Sequence, residues 1–271
     1  MWFMSINISM PIACFLQDKK LAEIIVEARE ALGILADITR IFSDNNVNII
    51  YVLADASDGV TAKMAFFIDI TNSKISISEL NHLIKSQPYV INTNIWVSPI
   101  SGLIYDELCF PKLVQKEPSI ILSYNNLSFT IDRFRSIAGE GGAAIFYHIG
   151  FFIGEGQFKL FKPSLEKLNI SKVETINVML DIGKSYGLYD AKLINLDLDK
   201  DIGVIHIYGS FEATPIMGSK KEPSCHFVRG NIAGIISSIL GKRVKVLERK
   251  CISAGNPYCE FYFEPMVSSI P

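Results

Sequence analysis

At 271 residues, with 26 Lys and Arg against 28 Asp and Glu and a formal net charge of −2, the chain has no general electrostatic attraction for nucleic acid or an acidic membrane surface. A hydrophobic fraction of 49% and five cysteines, an odd number, lead us to expect a globular protein with large cores and reduced thiols, as in a cytoplasm. No run reaches the roughly 18 uninterrupted apolar residues of a membrane span, and no Lys or Arg precedes Lys19, so no signal peptide is expected and residues 1–17 are read as an N-terminal segment.

Residues 21–28 have strand composition. Apolar residues at 34, 35, 38, 41 and 42 then form a helical stripe. The polar run 43–46 ends that helix. Two β-rich runs follow, 47–54 and 61–70, separated by the turn signal Ser57-Asp58-Gly59. Residues 76–85 read as a helix opened by Ser76 with Glu79 at the capping-box position, and 90–97 as a last strand. The order βαββαβ is the ferredoxin-like split unit.

This stretch, about residues 18–99, resembles the ACT domain, a small regulatory module that often binds amino acids. The family's Asp-x-Pro-Gly turn corresponds here to Glu30-Ala31-Leu32-Gly33, which keeps only the glycine. Gly33 permits close backbone approach at a helix N-terminus, so it is a candidate ligand-binding position. Dimerisation alone is an equally open role for such a domain.

Residues 100–127, carrying Gly102, Pro111 and Pro118, read as a linker. A second domain over 128–265 opens with an apolar stretch at 129–152, broken near Gly139-Glu140-Gly141-Gly142. A helix over 171–186 follows, then strands at 191–197 and 202–208, a helix at 225–240, and strands at 244–251 and 258–263. The whole is α+β: a ferredoxin-like unit followed by a mixed helix and antiparallel-sheet domain.

Three cysteines lie in the last fifth of the chain. Glu248 comes 23 residues after Cys225, Cys251 three after Glu248, and Cys259 eight after that, with Gly255-Asn256-Pro257 as a tight turn between the last two cysteines. Three thiolates and a carboxylate complete a tetrahedral zinc shell with no position left for water. The residues alone also allow buried free thiols, or one disulfide with a spare cysteine. The spacing is similar to the zinc site of the 4-vinyl-reductase-like ligand-binding domain, the aromatic-sensing module of bacterial phenol- and xylene-responsive activators, and the likeness covers roughly 120–265. It implies a structural Zn2+ on Cys225, Glu248, Cys251 and Cys259.

Phenol sensors of that family hold their ligand with a histidine and a tryptophan, but the matching positions here are Ile176 and Val204, so that pair does not transfer. Alternation along 202–208 puts His206 and Tyr208 on one face. If that face is inward, they point into an apolar chamber lined by Phe146, Phe151 and Phe152, with Tyr147 in the same run. Arg229, one turn past Cys225, is a candidate partner for an anionic ligand. His148 is a weaker candidate, and His226 is read as a neighbour of the metal.

No Walker loop, dinucleotide fingerprint or nucleophile elbow is present in the sequence, which argues against nucleotide chemistry and serine hydrolysis. The expectation is a cytoplasmic, non-enzymatic sensor that binds a hydrophobic or aromatic small molecule and forms a homodimer, without direct contact to nucleic acid or membrane. The alternatives are a scaffold with an empty pocket and, from the family's name, a reductase-related enzyme.

Overall fold

Apolar residues at every position from 21 to 28 except Glu23 and Glu27 suit a strand buried on both faces. In the computed structural model, which describes Met10 and residues 12–266, that strand is the second among the described residues. After β1 (Ala13–Phe15) come β2 (Leu21–Arg29), α1 (Ile34–Asp44), β3 (Asn48–Asp55), β4 (Thr61–Asp69), α2 (Ile77–Lys85) and β5 (Val90–Val97). The antiparallel sheet runs β3-β4-β2-β5, with β2 central. Ala22, Ile24 and Val26 pack with Ile38 and Phe42 of α1 and Leu80 and Ile84 of α2 in one buried core. Phe42 meets Phe66 edge to face at 5.0 Å, so truncating Phe42 to alanine costs about 3–5 kcal/mol. The expected capping box opens α2: Ser76 Oγ accepts the Glu79 N–H, and Glu79 accepts the Ser76 N–H at 2.8 Å.

The other face of this sheet is also covered. Leu21 and Phe67 pack with Ile104 of β6 (Leu103–Tyr105), which pairs with β1. A short hairpin of β7 (Leu113–Val114) and β8 (Glu117–Pro118) follows. Residues 103–118, read from sequence as part of a linker, are therefore strand-bearing, and the chain divides into two compact units between Ile120 and Ile121. Most of the expected segment 1–17 falls outside the described residues.

The C-terminal unit begins with α3 (Tyr124–Leu168), a helix longer than the stretch read from sequence and carrying Pro163. Its backbone leaves helical geometry at Gly139, with φ 57° and ψ −137°, a conformation open mainly to glycine. Phe134 and Phe146 then meet with ring centroids 5.6 Å apart. A straight helix would separate residues that far apart in sequence by about 18 Å, so α3 is an elbow of two helices.

After α3 come α4 (Lys172–Ser185), β9 (Tyr189–Asp197), β10 (Ile202–Ser210), α5 (His226–Leu240), β11 (Val244–Lys250) and β12 (Cys259–Pro265), with the sheet in the antiparallel order β11-β12-β10-β9. Helix α5 is buried along most of its length. It lies against α3 so closely that a Cβ on Gly150, Gly154, Gly230 or Gly234 would overlap a backbone carbonyl oxygen of the facing helix. Among the described residues α3 is the one helix long and apolar enough by length and composition to cross a membrane. Its glycine face, though, is occupied by α5.

Candidate metal centre

Two backbone breaks bring four distant donors together. Cys225 stands at the N-cap of α5 with φ −82° and ψ 65° and uses no side-chain cap; its N–H donates to Glu248 Oε2 at 2.9 Å. Irregular pairing after Glu248 on β11 releases the chain from the ladder. Cys251 then leads into a short 3-10 turn closed by Gly255, whose φ of 87° is left-handed, and the chain returns as β12 starting at Cys259. The Cys251 N–H donates to Asn256 Oδ1 at 3.0 Å, fixing the turn.

The sulfurs stand 3.7 Å (Cys225–Cys251), 3.8 Å (Cys225–Cys259) and 3.8 Å (Cys251–Cys259) apart. No disulfide joins them, and all three cysteines are fully buried. Near-equal spacing is the signature of atoms on one centre: bonds of about 2.3 Å at tetrahedral angles give edges of about 3.8 Å. The Glu248 carboxylate completes a set of donor atoms lying within 4.8 Å of one another. Its Oε1 is buried with no hydrogen-bond partner, an uncommon and costly state for a carboxylate oxygen. The cluster can therefore hold a metal ion.

Supporting contacts favour thiolates. Ile252 N–H donates to Cys259 Sγ at 3.3 Å, and Ser253 Oγ lies 3.0 Å from Cys251 Sγ. Without a cation the cluster resists charge. Burial pushes the Glu248 carboxyl up to about 9 and drives the Cys225 thiol well above its ordinary value. Hydrogen bonds from Cys225 and then Cys259 pull the Cys251 thiol far down. A bound cation would supply the attraction the donors need to ionise together.

A second cluster, missed in the sequence, lies in the N-terminal unit: Glu23, Asp106 and Cys109, with donors also within 4.8 Å of one another. Glu23 is fully buried, and its Oε2 accepts the N–H groups of Glu107 at 3.0 Å and Leu108 at 3.1 Å. Asp106 is ion-paired with Lys112, and burial pushes the Cys109 thiol up to about 11. The cation here is already part of the chain.

The sequence-derived ligand residues separate. His206 and Tyr208 do share a face of β10, but it is the face away from the core: Ile205 and Ile207 are the fully buried neighbours. His206 Nε2 lies 3.0 Å from Glu260 Oε2 and its ring stacks on Tyr258 at 4.2 Å, while Tyr208 is 43% exposed. The expected inward orientation is reversed, because the residues without polar atoms take the core side. The chamber is not assembled either: Phe151 is in the core, whereas Phe152 is 61% exposed, and His148 is exposed too. Arg229 and Tyr147 do come together, with the guanidinium 5.1 Å from the ring centroid and Tyr147 6.4 Å from Phe151. Gly33, with φ 91°, caps α1 and borders a hollow of about 630 Å³ that also touches Glu30, Asp55 and Met64.

The two folds and the buried donor set define a two-module protein, a small α+β unit followed by one with a candidate metal centre. A model of the ACT domain matches residues 22–81, and a model of the 4-vinyl-reductase-like domain matches residues 204–265. The chain carries an ACT domain followed by a 4-vinyl-reductase-like domain. Two uncharacterized proteins of Methanocaldococcus jannaschii are similar to it. One is 30% identical over 46% of this chain and 65% of its own length, the other 32% identical over 31% of this chain and 43% of its own length. The chain thus spans less than two thirds of either. Among solved structures, the phenol-responsive sensory domain of the transcription activator PoxR aligns at 18% identity and TM-score 0.48 over 55% of this chain and 78% of its own. A vinyl-4-reductase family protein from M. jannaschii aligns at 21% identity and TM-score 0.37 over 56% of this chain and 87% of its own.

Proposed function

We propose that this is a regulatory protein whose 4-vinyl-reductase-like unit binds a hydrophobic or aromatic small molecule and is held together by a structural Zn2+, with the ACT unit as a second regulatory module. The closed donor set carries this reading. Cys225, Glu248, Cys251 and Cys259 have donor atoms within 4.8 Å of one another and would complete a tetrahedral shell from the protein alone, leaving the metal no open position for substrate. It ties the start of α5 to the ends of β11 and β12. The joining of an ACT domain to a 4-vinyl-reductase-like domain in one chain supports regulation over catalysis. The hollow beside Gly33 would suit an amino-acid-sized ligand of the ACT unit.

Ile145, Ile149 and Phe152 lie exposed in a row on the second arm of α3, and a homodimer in a cytoplasm would cover them. A second reading, a zinc-stabilised scaffold, is favoured by the outward turn of His206 and Tyr208. Native mass spectrometry of protein purified from its own host, with elemental analysis, tests both. A bound small molecule and one zinc per chain support the sensor. A stable protein partner without a small molecule supports the scaffold, and a metal-free folded protein defeats both.

A further inference from the structure

Two arginines near the elbow of α3, Arg135 and Arg229, take no part in the metal centre. Arg135 on the first arm donates from Nη1 to the Ser224 carbonyl at 2.9 Å. Arg229, at the start of α5, donates from Nη2 to His226 Nδ1 at a long 3.4 Å and lies over the Tyr147 ring of the second arm. Its Nε is buried and has no hydrogen-bond partner. Among the described residues neither arginine has a carboxylate partner within ion-pair distance. Glu212, whose carboxyl feels the Arg135 charge, gives its oxygens to the N–H groups of Phe227 and Val228 instead. A buried guanidinium N–H without an acceptor is costly unless something outside the chain provides one.

The surroundings narrow the chemistry. His226 Nδ1 faces Arg229 Nη2, so the ring nitrogen can accept from the guanidinium. Tyr147 is half-buried, and burial raises its hydroxyl's value against the charges of Arg229 and Arg243, so the hydroxyl is a neutral donor. Phe134 and Phe146 meet edge to face, one from each arm of the elbow. Two planar guanidiniums match a carboxylate's two oxygens, and the aromatic rings match a flat apolar body.

We infer that Arg229, Arg135 and Tyr147 form a binding site for a small aromatic carboxylate at the elbow of α3, with Phe134 and Phe146 against its ring. This rests on the proposed function, a small-molecule site in the 4-vinyl-reductase-like unit, and specifies its position and the charge of its ligand.

The test uses full-length, metal-loaded protein and two probes of equal size, 4-fluorobenzoate and 4-fluorophenol, followed by fluorine NMR titration. Saturable binding of 4-fluorobenzoate, at least tenfold tighter than that of 4-fluorophenol, is expected. Arg229→Gln and Arg135→Gln should each weaken it at least tenfold, and Arg229→Lys should weaken it less, since charge remains but the fork is lost. Metal content per chain must be unchanged in each variant; should Arg229→Gln lose its metal, Arg135→Gln carries the test. No binding of 4-fluorobenzoate, or binding that both glutamine variants leave intact, overturns the site. Binding of 4-fluorophenol alone, or a neutral molecule found on host-purified protein, overturns the anionic ligand while leaving the proposed function standing.

Discussion

The two units each bury a cluster of acidic and thiol side chains, and the clusters are built for opposite solutions to one electrostatic problem. Around Glu23 the chain provides its own cation: Lys112 pairs with Asp106, Cys109 stays a thiol, and Glu23 is satisfied by backbone N–H groups. Around Cys225 no lysine or arginine enters the set, one carboxylate oxygen has no partner, and three sulfurs stand at tetrahedral spacing. Having donors within reach of one another therefore does not make a metal site. What distinguishes one is whether the positive charge is missing.

Removing that charge breaks the comparison most sharply. Chelation, or Cys251→Ser, should abolish the cooperative unfolding transition of the C-terminal unit while leaving that of the N-terminal unit in place, since structural zinc sites contribute about 10–16 kcal/mol in small peptides. Calorimetry with and without chelator reads this directly, and a C-terminal transition indifferent to metal would contradict it. Added zinc should change neither the N-terminal transition nor its midpoint.

The next effect concerns packing. The N-terminal core meets through side chains such as Phe42 and Phe66, whereas α3 and α5 meet backbone to backbone. Gly230→Ala places a methyl group on the Tyr147 carbonyl oxygen, which cannot move aside as a flexible side chain would. A loss of about 3 kcal/mol, the upper end for overpacking, is expected in urea titration, against little change for Gly156→Ala, where the space is open.

Lys112→Met tests the built-in cation. It leaves Asp106, nearly buried, without its partner, so the N-terminal unit should lose about 2–3 kcal/mol, below the full penalty for a wholly buried pair because Lys112 is partly exposed. Recovery of stability in the double variant Lys112→Met, Asp106→Asn would locate the cost in the orphaned charge.

The smallest effect is a pH dependence. Glu212 is fully buried beneath α5, and burial raises its carboxyl to about 7, against the N–H donors of Phe227 and Val228 and the Arg135 charge, which lower it. An acid raised in the folded state contributes stability below its unfolded value near 4.5 and loses it as pH rises through the folded value. Between pH 5 and 8 the C-terminal unit should lose roughly 2 kcal/mol through this group. Glu212→Gln should flatten that part of the profile, and an unchanged slope would assign it elsewhere.

The sequence by itself determined most of the local structure. Strand and helix periods, the Ser76–Glu79 capping box and the βαββαβ order are local signals, and the observed elements 34–44, 77–85 and 226–240 lie within one or two residues of those read from pattern. The four donors of the candidate metal centre were legible through the likeness to the 4-vinyl-reductase-like domain, since the residues alone also allow buried free thiols or a disulfide. Which face of β10 is inward was not legible, since a period of two assigns faces without saying which is buried. The signal was nonetheless there: Ile205 and Ile207 carry no polar atom, while His206 and Tyr208 do. The glycines at 150, 154, 230 and 234 had the four-residue spacing of a helix face, but only the partner helix shows why a side chain is excluded. Glu23 with Asp106, and Arg135 with Ser224, are separated by some 80 residues or more in the chain. Their meeting depends on how strands return and where α3 bends, and no local pattern encodes a distance across a fold.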